Sequence, residues 1–143
     1  MGEKYIGECL FNGHPEGFFI SFVSPTYIVT VNGSSLNPCG HMILNIGGHG
    51  GTYTHIAEAS GYPYFMNQKG YERYLRENNK IELKRVRVNI PKPRQAKLKL
   101  EKLKYQRWTW MVLPNNCAHY VEEILQAGGC NFNLQYNCPA VGK

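Results

Sequence analysis

Residues 114–129 read PNNCAHYVEEILQAGG, and this stretch decides the fold because it predicts a helix with a cysteine in its first turn. Pro114-Asn115-Asn116 is typical of a helix cap and Gly128-Gly129 of a helix stop, which predicts a helix over residues 117–126. At a helix start the dipole and the first-turn amide groups favour the thiolate, the form of cysteine that attacks carbonyls. Cys117 is therefore a candidate nucleophile, and its backbone N–H is a candidate donor to an oxyanion. The alternative is a small buried cysteine without chemistry.

Histidines are the candidate bases for this cysteine. His41 opens an apolar run, and His55 lies in the next predicted strand, so a short hairpin would bring the two imidazoles together. We expect His41 to act as the base and His55 to orient it. Glu58 takes the place of His55 if that strand is shifted in register. Asn116 and His119 are candidates to line the cleft or the oxyanion site.

The first sixty residues favour strands, because β-branched and aromatic runs alternate there with turn residues. The predicted strands are residues 18–23, 27–31, 41–46 and 52–57. The glycine-rich run 47–51 is predicted to be the turn between the last two strands. It lacks the Lys-Ser/Thr ending and the following helix of a phosphate loop.

Helices and strands are both predicted in the rest of the chain. The predicted elements are a helix over residues 69–78, a strand over 80–90 with a bulge near Lys84-Arg85, a basic helix over 94–106 and a strand over 108–113. Within the basic helix, Ala96, Leu100 and Leu103 share one face. With 143 residues, 43% of them hydrophobic, we expect one domain over residues 1–143, of the α+β class.

These motifs resemble a known family, the circularly permuted branch of the NlpC-type papain-like enzymes, which includes the lecithin:retinol acyltransferase-like proteins. The run GHMILNIG at residues 40–47 resembles the family's histidine strand, THIAE at 54–58 its next strand, and NCAHYV at 116–121 its Asn-Cys-x-His-Phe-Val motif. The resemblance implies a papain-like antiparallel sheet that presents His41 and His55 to the Cys117 helix. It also implies thioester chemistry without a cofactor.

The resemblance also bears on the substrate. Its lipid-acting members have an aromatic residue where this chain has Met42, and many carry a hydrophobic anchor. Its wall-cleaving members cut peptidoglycan stem peptides, and small ones serve as bacterial toxins. We therefore expect a cysteine amidase or endopeptidase directed at peptidoglycan, with a cognate immunity protein as a partner. The alternative activity is an acyltransferase or thioesterase on lipid-linked substrates.

Charge and hydropathy bear on partners and location. The formal charge of +6 favours anionic partners such as cell-envelope polymers. Neither a membrane span nor the basic-then-apolar order of a signal peptide is visible in the sequence. We expect export without a signal peptide and action in the periplasm of a target cell, with a cytoplasmic location as the alternative.

Two other classes of function compete with an enzyme. The pairs Cys39-Gly40-His41 and Cys117-Ala118-His119 could supply four zinc ligands, although helical residues two apart diverge; we expect no metal. A basic run beside Trp108 and Trp110 is a signature of a nucleic-acid-binding module, although such a run is more often a solvated helix face, and we expect no specific nucleic acid. Cys130 and Cys138 are close enough to pair in an oxidising compartment.

Overall fold

The computed structural model describes residues 4–9, 18–33, 40–57, 60–109 and 116–130. The elements within these ranges are β1 (Thr26–Val31), β2 (His41–Ile46), β3 (Thr52–His55), β4 (Ser60–Gly61), β5 (Tyr64–Met66), α1 (Gln68–Glu77), β6 (Glu82–Val88), α2 (Pro93–Leu103), β7 (Trp108–Thr109) and α3 (Asn116–Ala127). The protein is thus an α+β protein, as its sequence predicts.

A five-stranded antiparallel sheet organises the described residues. Its strand order is β5-β3-β2-β1-β6, and β4 pairs with β7 in a separate two-stranded ribbon. Leu44 pairs with Ile28 of β1 on one side and with Thr54 of β3 on the other, so β2 lies at the centre. His41 is the first residue of β2 and pairs with Val31, which puts it at one end of the sheet.

Each face of the sheet has its own core because successive side chains point to opposite sides. Met42, Leu44 and Ile46 join the cluster that includes the buried faces of α2 and α3. Ile43, one residue out of phase, joins the cluster that includes Tyr71 and Tyr74 of α1. All six residues of β2 are buried, so a shift of one residue would exchange the two cores.

The three helices begin and end with local signals. Asn67 caps α1 by accepting a hydrogen bond from the Gly70 N–H at 2.7 Å. Pro93 begins α2, whose buried residues Ala96, Leu100 and Leu103 are those that the sequence predicts. At the end of α3, Gly129 has a φ of +86°, and the N–H of Cys130 donates to the Leu125 carbonyl at 2.9 Å. This is a Schellman motif at the predicted glycine stop.

The strand predicted over residues 18–23 is wrong. This segment is irregular and contains a turn closed by the Ser24 N–H on the Ser21 carbonyl at 3.1 Å. Part of its apolar surface packs on the core, since Phe22 is 3% exposed there, whereas Phe19 and Val23 are exposed. The apolar pattern of this segment therefore reflects a loop that packs on the core and not a strand.

The predicted bulge is confirmed one residue from its expected place. Thr30 pairs with Lys84 but Val31 pairs with Glu82, so Leu83 is the extra residue. Smaller differences concern lengths: β3 ends at His55, two residues before the predicted end, and β4 and β5 were not predicted. The strand predicted over 108–113 is described only as β7, and its remainder lies outside the described residues.

Candidate active site

His41 and His55 form a directly hydrogen-bonded pair at the end of the sheet. The His41 Nε2 atom lies 2.6 Å from the His55 Nδ1 atom, and both side chains are buried. The rings meet edge-on, with centroids 4.9 Å apart and planes at 68°. His41 and His55 lie on the same face of neighbouring strands, where diagonal neighbours are within reach. The hairpin therefore juxtaposes the two histidines that the sequence singles out.

The main chain determines which nitrogens of this pair carry protons. The His55 Nε2 atom lies 2.9 Å from the Ile6 carbonyl oxygen, which can only accept a hydrogen bond. His55 must therefore carry its proton on Nε2, and its Nδ1 must accept the Nε2–H of His41. A neutral His41 then has its lone pair on Nδ1. That nitrogen is the one able to take a proton from a nucleophile.

Burial keeps both imidazoles neutral. The pKa of His41 is lowered well below 6.5 by burial first, and then by positive charge at His55 and Lys80. The pKa of His55 is lowered to about 4 by burial, although the hydrogen bond to Ile6 acts in the opposite direction. At neutral pH the pair is uncharged, which is the state that a general base requires.

Tyr74 of α1 packs against the histidine pair. Its ring centroid lies 5.1 Å from that of His55, in an edge-to-face arrangement at 79°, and 6.3 Å from that of His41. The pKa of Tyr74 is raised by burial first and then by negative charge on the Cys117 thiolate. The phenol therefore packs against both imidazoles and lies within electrostatic reach of the sulfur.

Cys117 occupies the first turn of α3. It is 4% exposed, is not half of a disulfide, and belongs to the buried cluster that includes Met42 and Ile56. One turn later, the Tyr120 hydroxyl lies 2.8 Å from the Thr54 hydroxyl, one residue before His55. This hydrogen bond fixes the start of α3 against β3. The thiol therefore belongs to the core between the sheet and α3, whereas the two imidazoles lie on the sheet face that packs against Tyr74 of α1.

Of the other predicted site residues, the structure describes Asn116 and His119 but not Glu58. Asn116 is the first residue of α3, and His119 follows on the same helix, half-buried. Glu58, the alternative orienter, lies outside the described residues, as do Cys39 and Cys138. Cys130 is a thiol whose pKa is raised by burial.

Zinc fits the imidazole pair poorly. Two nitrogens that bind one tetrahedral zinc at about 2.0–2.1 Å are about 3.3 Å apart, which is wider than the 2.6 Å between His41 and His55. The short distance is that of a hydrogen bond. Among the residues that the structure describes, no group of three or more His, Cys, Asp or Glu side chains could hold a metal ion.

The basic run on α2 is partly neutralised. Lys99 pairs with Glu123 of α3 at 3.5 Å, and Lys104 pairs with Glu101 at 2.6 Å. Trp110, one of the two tryptophans that the nucleic-acid interpretation uses, lies outside the described residues. Lysines engaged with carboxylates in this way are typical of a helix surface in water.

Sequence reasoning missed two parts of the site. A main-chain carbonyl such as that of Ile6 has no side-chain signature, so no sequence pattern could have identified it. Tyr74 was visible as part of the apolar spacing of α1, but a tyrosine at that spacing predicts core packing alone. Its contact with both histidines depends on how α1 packs against the sheet.

No protein-family model, curated protein or solved structure matches the chain. Among the described helices, none has the length and apolar composition needed to cross a membrane.

Proposed function

We propose that the protein is a papain-like cysteine hydrolase in which Cys117 is the nucleophile, His41 the base and His55 the orienting residue. The observation that carries this proposal is the hydrogen-bonded chain from the Ile6 carbonyl through His55 to His41, which leaves Nδ1 of a neutral imidazole as a proton acceptor. Buried histidines whose pKa values are strongly lowered are common at functional sites. The position of Cys117 at a helix start adds the second requirement, an activated thiol.

The proposed reaction proceeds through a thioester. The Cys117 thiol gives its proton to His41 Nδ1, and the thiolate attacks an amide carbonyl. The C–N bond breaks as His41 returns the proton to the leaving amine, which leaves the acyl group on sulfur. Water then gives a proton to His41 and attacks the thioester, and the C–S bond breaks as His41 returns this proton to the Cys117 sulfur, which releases a carboxylic acid and restores the thiol. First-turn amide groups of α3 are suited to stabilise the oxyanion.

The proposed substrate is the stem peptide of peptidoglycan, and the proposed role is that of an antibacterial toxin. The formal charge of +6 suits an anionic cell-envelope polymer. In this proposal the protein is exported and acts in the periplasm of a target cell. A cognate immunity protein protects the producer by blocking the site.

A second candidate, an acyltransferase or thioesterase on lipid-linked substrates, is favoured by one observation. A cavity of about 560 Å³ lies between residues 20–23 and α2, and its walls include Phe22, Leu98 and Val23. Arg94 and Lys97 stand beside these apolar walls. Such a groove suits an acyl chain with an anionic head group.

Growth of a bacterial host tests the proposal. The wild-type chain is expressed in the cytoplasm or with an added export signal, beside Cys117→Ala, His41→Ala and the matched control Cys130→Ala, which removes a thiol beyond the other end of α3. We expect lysis with exported wild-type and Cys130→Ala protein, and none with the two site variants. Mass analysis of the digested wall would then identify the cleaved amide.

Other outcomes of the growth experiment contradict the proposal in different ways. Cytoplasmic toxicity that requires Cys117 would replace the wall substrate with a protein or lipid and favour the second candidate. Toxicity that survives both site variants would remove the catalytic assignment and favour the basic nucleic-acid-binding alternative.

A further inference from the structure

We propose that the main chain of residues 4–9 is a positioning element of the active site, and that the Ile6 carbonyl sets the tautomer of His55 and, through it, that of His41. This inference rests on the proposed function for its catalytic meaning. The structural basis is the pair of consecutive hydrogen bonds of 2.9 Å and 2.6 Å that join Ile6, His55 and His41. We call residues 4–9 the N-terminal strap.

The N-terminal strap is anchored on both sides of Ile6. On one side, the Tyr5 N–H donates to Glu77 Oε1 at 2.8 Å, and Asn78 Nδ2 donates to the Tyr5 carbonyl at 2.9 Å, at the end of α1. On the other side, Glu8 and Phe65 of β5 exchange two main-chain hydrogen bonds of 2.7 and 2.8 Å. The Ile6 carbonyl is therefore held between α1 and the edge strand of the sheet.

Gly7 allows this close approach. Its φ is +119°, and a Cβ atom there would lie 3.0 Å from the Phe65 carbonyl oxygen and 3.0 Å from the Tyr64 Cβ atom. A side chain would push the strap away from β5 and displace the adjoining Ile6 carbonyl. Glycine is the residue whose missing side chain fits this position.

A carbonyl suits the role because it accepts a hydrogen bond without bringing a charge. With the Ile6 carbonyl in place, protons sit on Nε2 of both histidines and the His41 Nδ1 lone pair is available. Without it, His55 can carry its proton on Nδ1 instead. That proton then faces His41 Nε2, which becomes the acceptor and moves the His41 proton to Nδ1. The nitrogen that the proposed reaction uses as a base is then blocked.

Gly7→Ala tests the inference against Gly50→Ala. Gly50 also has a positive φ, of +90°, but a Cβ atom there meets nothing within 4 Å. Two readouts are made: the ¹⁵N chemical shifts of the imidazoles, which report the tautomers, and the rate at which iodoacetamide alkylates Cys117 at pH 7. We expect the wild type and Gly50→Ala to show Nε2–H tautomers. Gly7→Ala should populate the Nδ1–H forms and react at least about tenfold more slowly, since a wrong tautomer costs ~10⁴-fold in kcat in the Ser-His-Asp triad.

A semisynthetic chain decides the question if Gly7→Ala does not fold. Cys9 allows a synthetic peptide of residues 1–8 to be ligated to a chain that begins at Cys9, which regenerates the full sequence. Replacing the Ile6–Gly7 amide with an ester weakens the carbonyl as an acceptor and keeps its shape. The control ester, between Gly7 and Glu8, removes the 2.7 Å bond from the Glu8 N–H to Phe65 but leaves the Ile6 amide carbonyl intact. We expect the tautomer change in the first ester only.

The outcomes separate this inference from the proposed function. Unchanged tautomers in the folded Ile6–Gly7 ester would overturn the inference, even if Cys117 proves essential in the growth experiment. A tautomer change with slower alkylation supports it, whatever substrate the enzyme has. A tautomer change with an unchanged alkylation rate would show that the strap sets the histidines but does not position a base, and would overturn its catalytic role.

Discussion

The proposed base, His41, is hydrogen-bonded to a second histidine, His55, which takes the position that an aspartate has in the Ser-His-Asp triad. A carboxylate stabilises the imidazolium that forms during catalysis and so raises the pKa of the base. His55 is itself neutral, and the largest effect on His41 is burial, which lowers the pKa. At the residue scale, the consequence is a base that remains unprotonated in mildly acidic solution.

The pH dependence of Cys117 alkylation tests this consequence. Because the pKa of His41 is lowered well below 6.5, we expect the reaction to keep its base-assisted rate as the pH falls through 6.5 and to lose it only at lower pH. The measurement is the pseudo-first-order rate with iodoacetamide across pH 4–9. Cys117→Ala gives the background from the other thiols. An acid limb at or above pH 6.5 would contradict the assignment of a buried neutral base.

His55 should also make folding stability depend on pH. Its pKa is about 4 in the folded protein and 6.5 when exposed, so between these values the unfolded chain binds a proton that the folded chain does not. The free energy of unfolding therefore falls as the pH drops from 6.5 towards 4, by about 3 kcal/mol, and this contribution is fully present above pH 6.5.

Urea unfolding of His55→Asn across pH 4–8 measures this effect. Asparagine keeps an acceptor for His41 but does not titrate, so its stability should depend less steeply on pH than that of the wild type. His49→Gln, at an exposed position, is the control for the removal of one histidine. Parallel curves for wild type and His55→Asn would contradict the low pKa of His55.

At the scale of elements, the attachment of α3 to β3 controls where Cys117 lies. Tyr120 and Thr54 are both fully buried, and their hydroxyls share a hydrogen bond of 2.8 Å. Tyr120→Phe leaves the Thr54 hydroxyl without this partner, and we expect a loss of about 1–3 kcal/mol in unfolding free energy.

The double variant Tyr120→Phe/Thr54→Val is the matched control for this bond. It removes both hydroxyls while keeping similar shapes, so it should recover part of the stability lost in Tyr120→Phe. Chemical denaturation of Tyr120→Phe, Thr54→Val and the double variant, beside the wild type, gives the coupling energy. Additive losses would show that the two hydroxyls do not stabilise each other.

The irregular segment over residues 18–23 is a second element that can be tested. Phe22 is 3% exposed in the core, whereas its neighbour Val23 is 82% exposed. Phe22→Ala should cost about 3–5 kcal/mol of unfolding free energy, and Val23→Ala should cost close to none. Thermal melting of the two variants distinguishes a segment that packs on the core from one that does not. Equal melting temperatures would contradict the packing described above.

At the scale of the whole molecule, the sheet face under α1 carries a second polar cluster besides the histidine pair. Arg85 of β6 donates to Asn45 Oδ1 at 3.1 Å, to the Tyr53 hydroxyl at 3.0 Å and to Glu82 at 3.0 Å. The Tyr71 hydroxyl donates to Glu82 at 2.6 Å, which joins α1 to the edge strand. The hydrogen bonds of Arg85 in this cluster link β6 to β2 and β3.

The sequence predicts structural features that depend on residues close in sequence, and it does not predict contacts between residues far apart in sequence. The bounds of β2, the buried face of α2 and the glycine stop of α3 follow from local patterns, and these were predicted. The pairing of His41 with His55 followed from a short hairpin. The proposed role of Ile6 could not be predicted in this way. Its carbonyl binds a histidine 49 residues away, and it is held there by the hydrogen bonds of the N-terminal strap to the end of α1 and to β5.

The hydrogen bonds from Ile6 through His55 to His41 join a loosely attached segment to a firmly held strand, and this affects how the site responds to heating. His41 belongs to the central strand, whose residues are all buried, and that strand opens only when the whole sheet does. The Ile6 carbonyl belongs to the N-terminal strap, which is attached through the hydrogen bonds at Tyr5 and Glu8. Detachment of the strap requires fewer broken contacts than melting of the sheet. The proposed activity should therefore be lost on warming several degrees before the protein melts, and it should return fully on cooling.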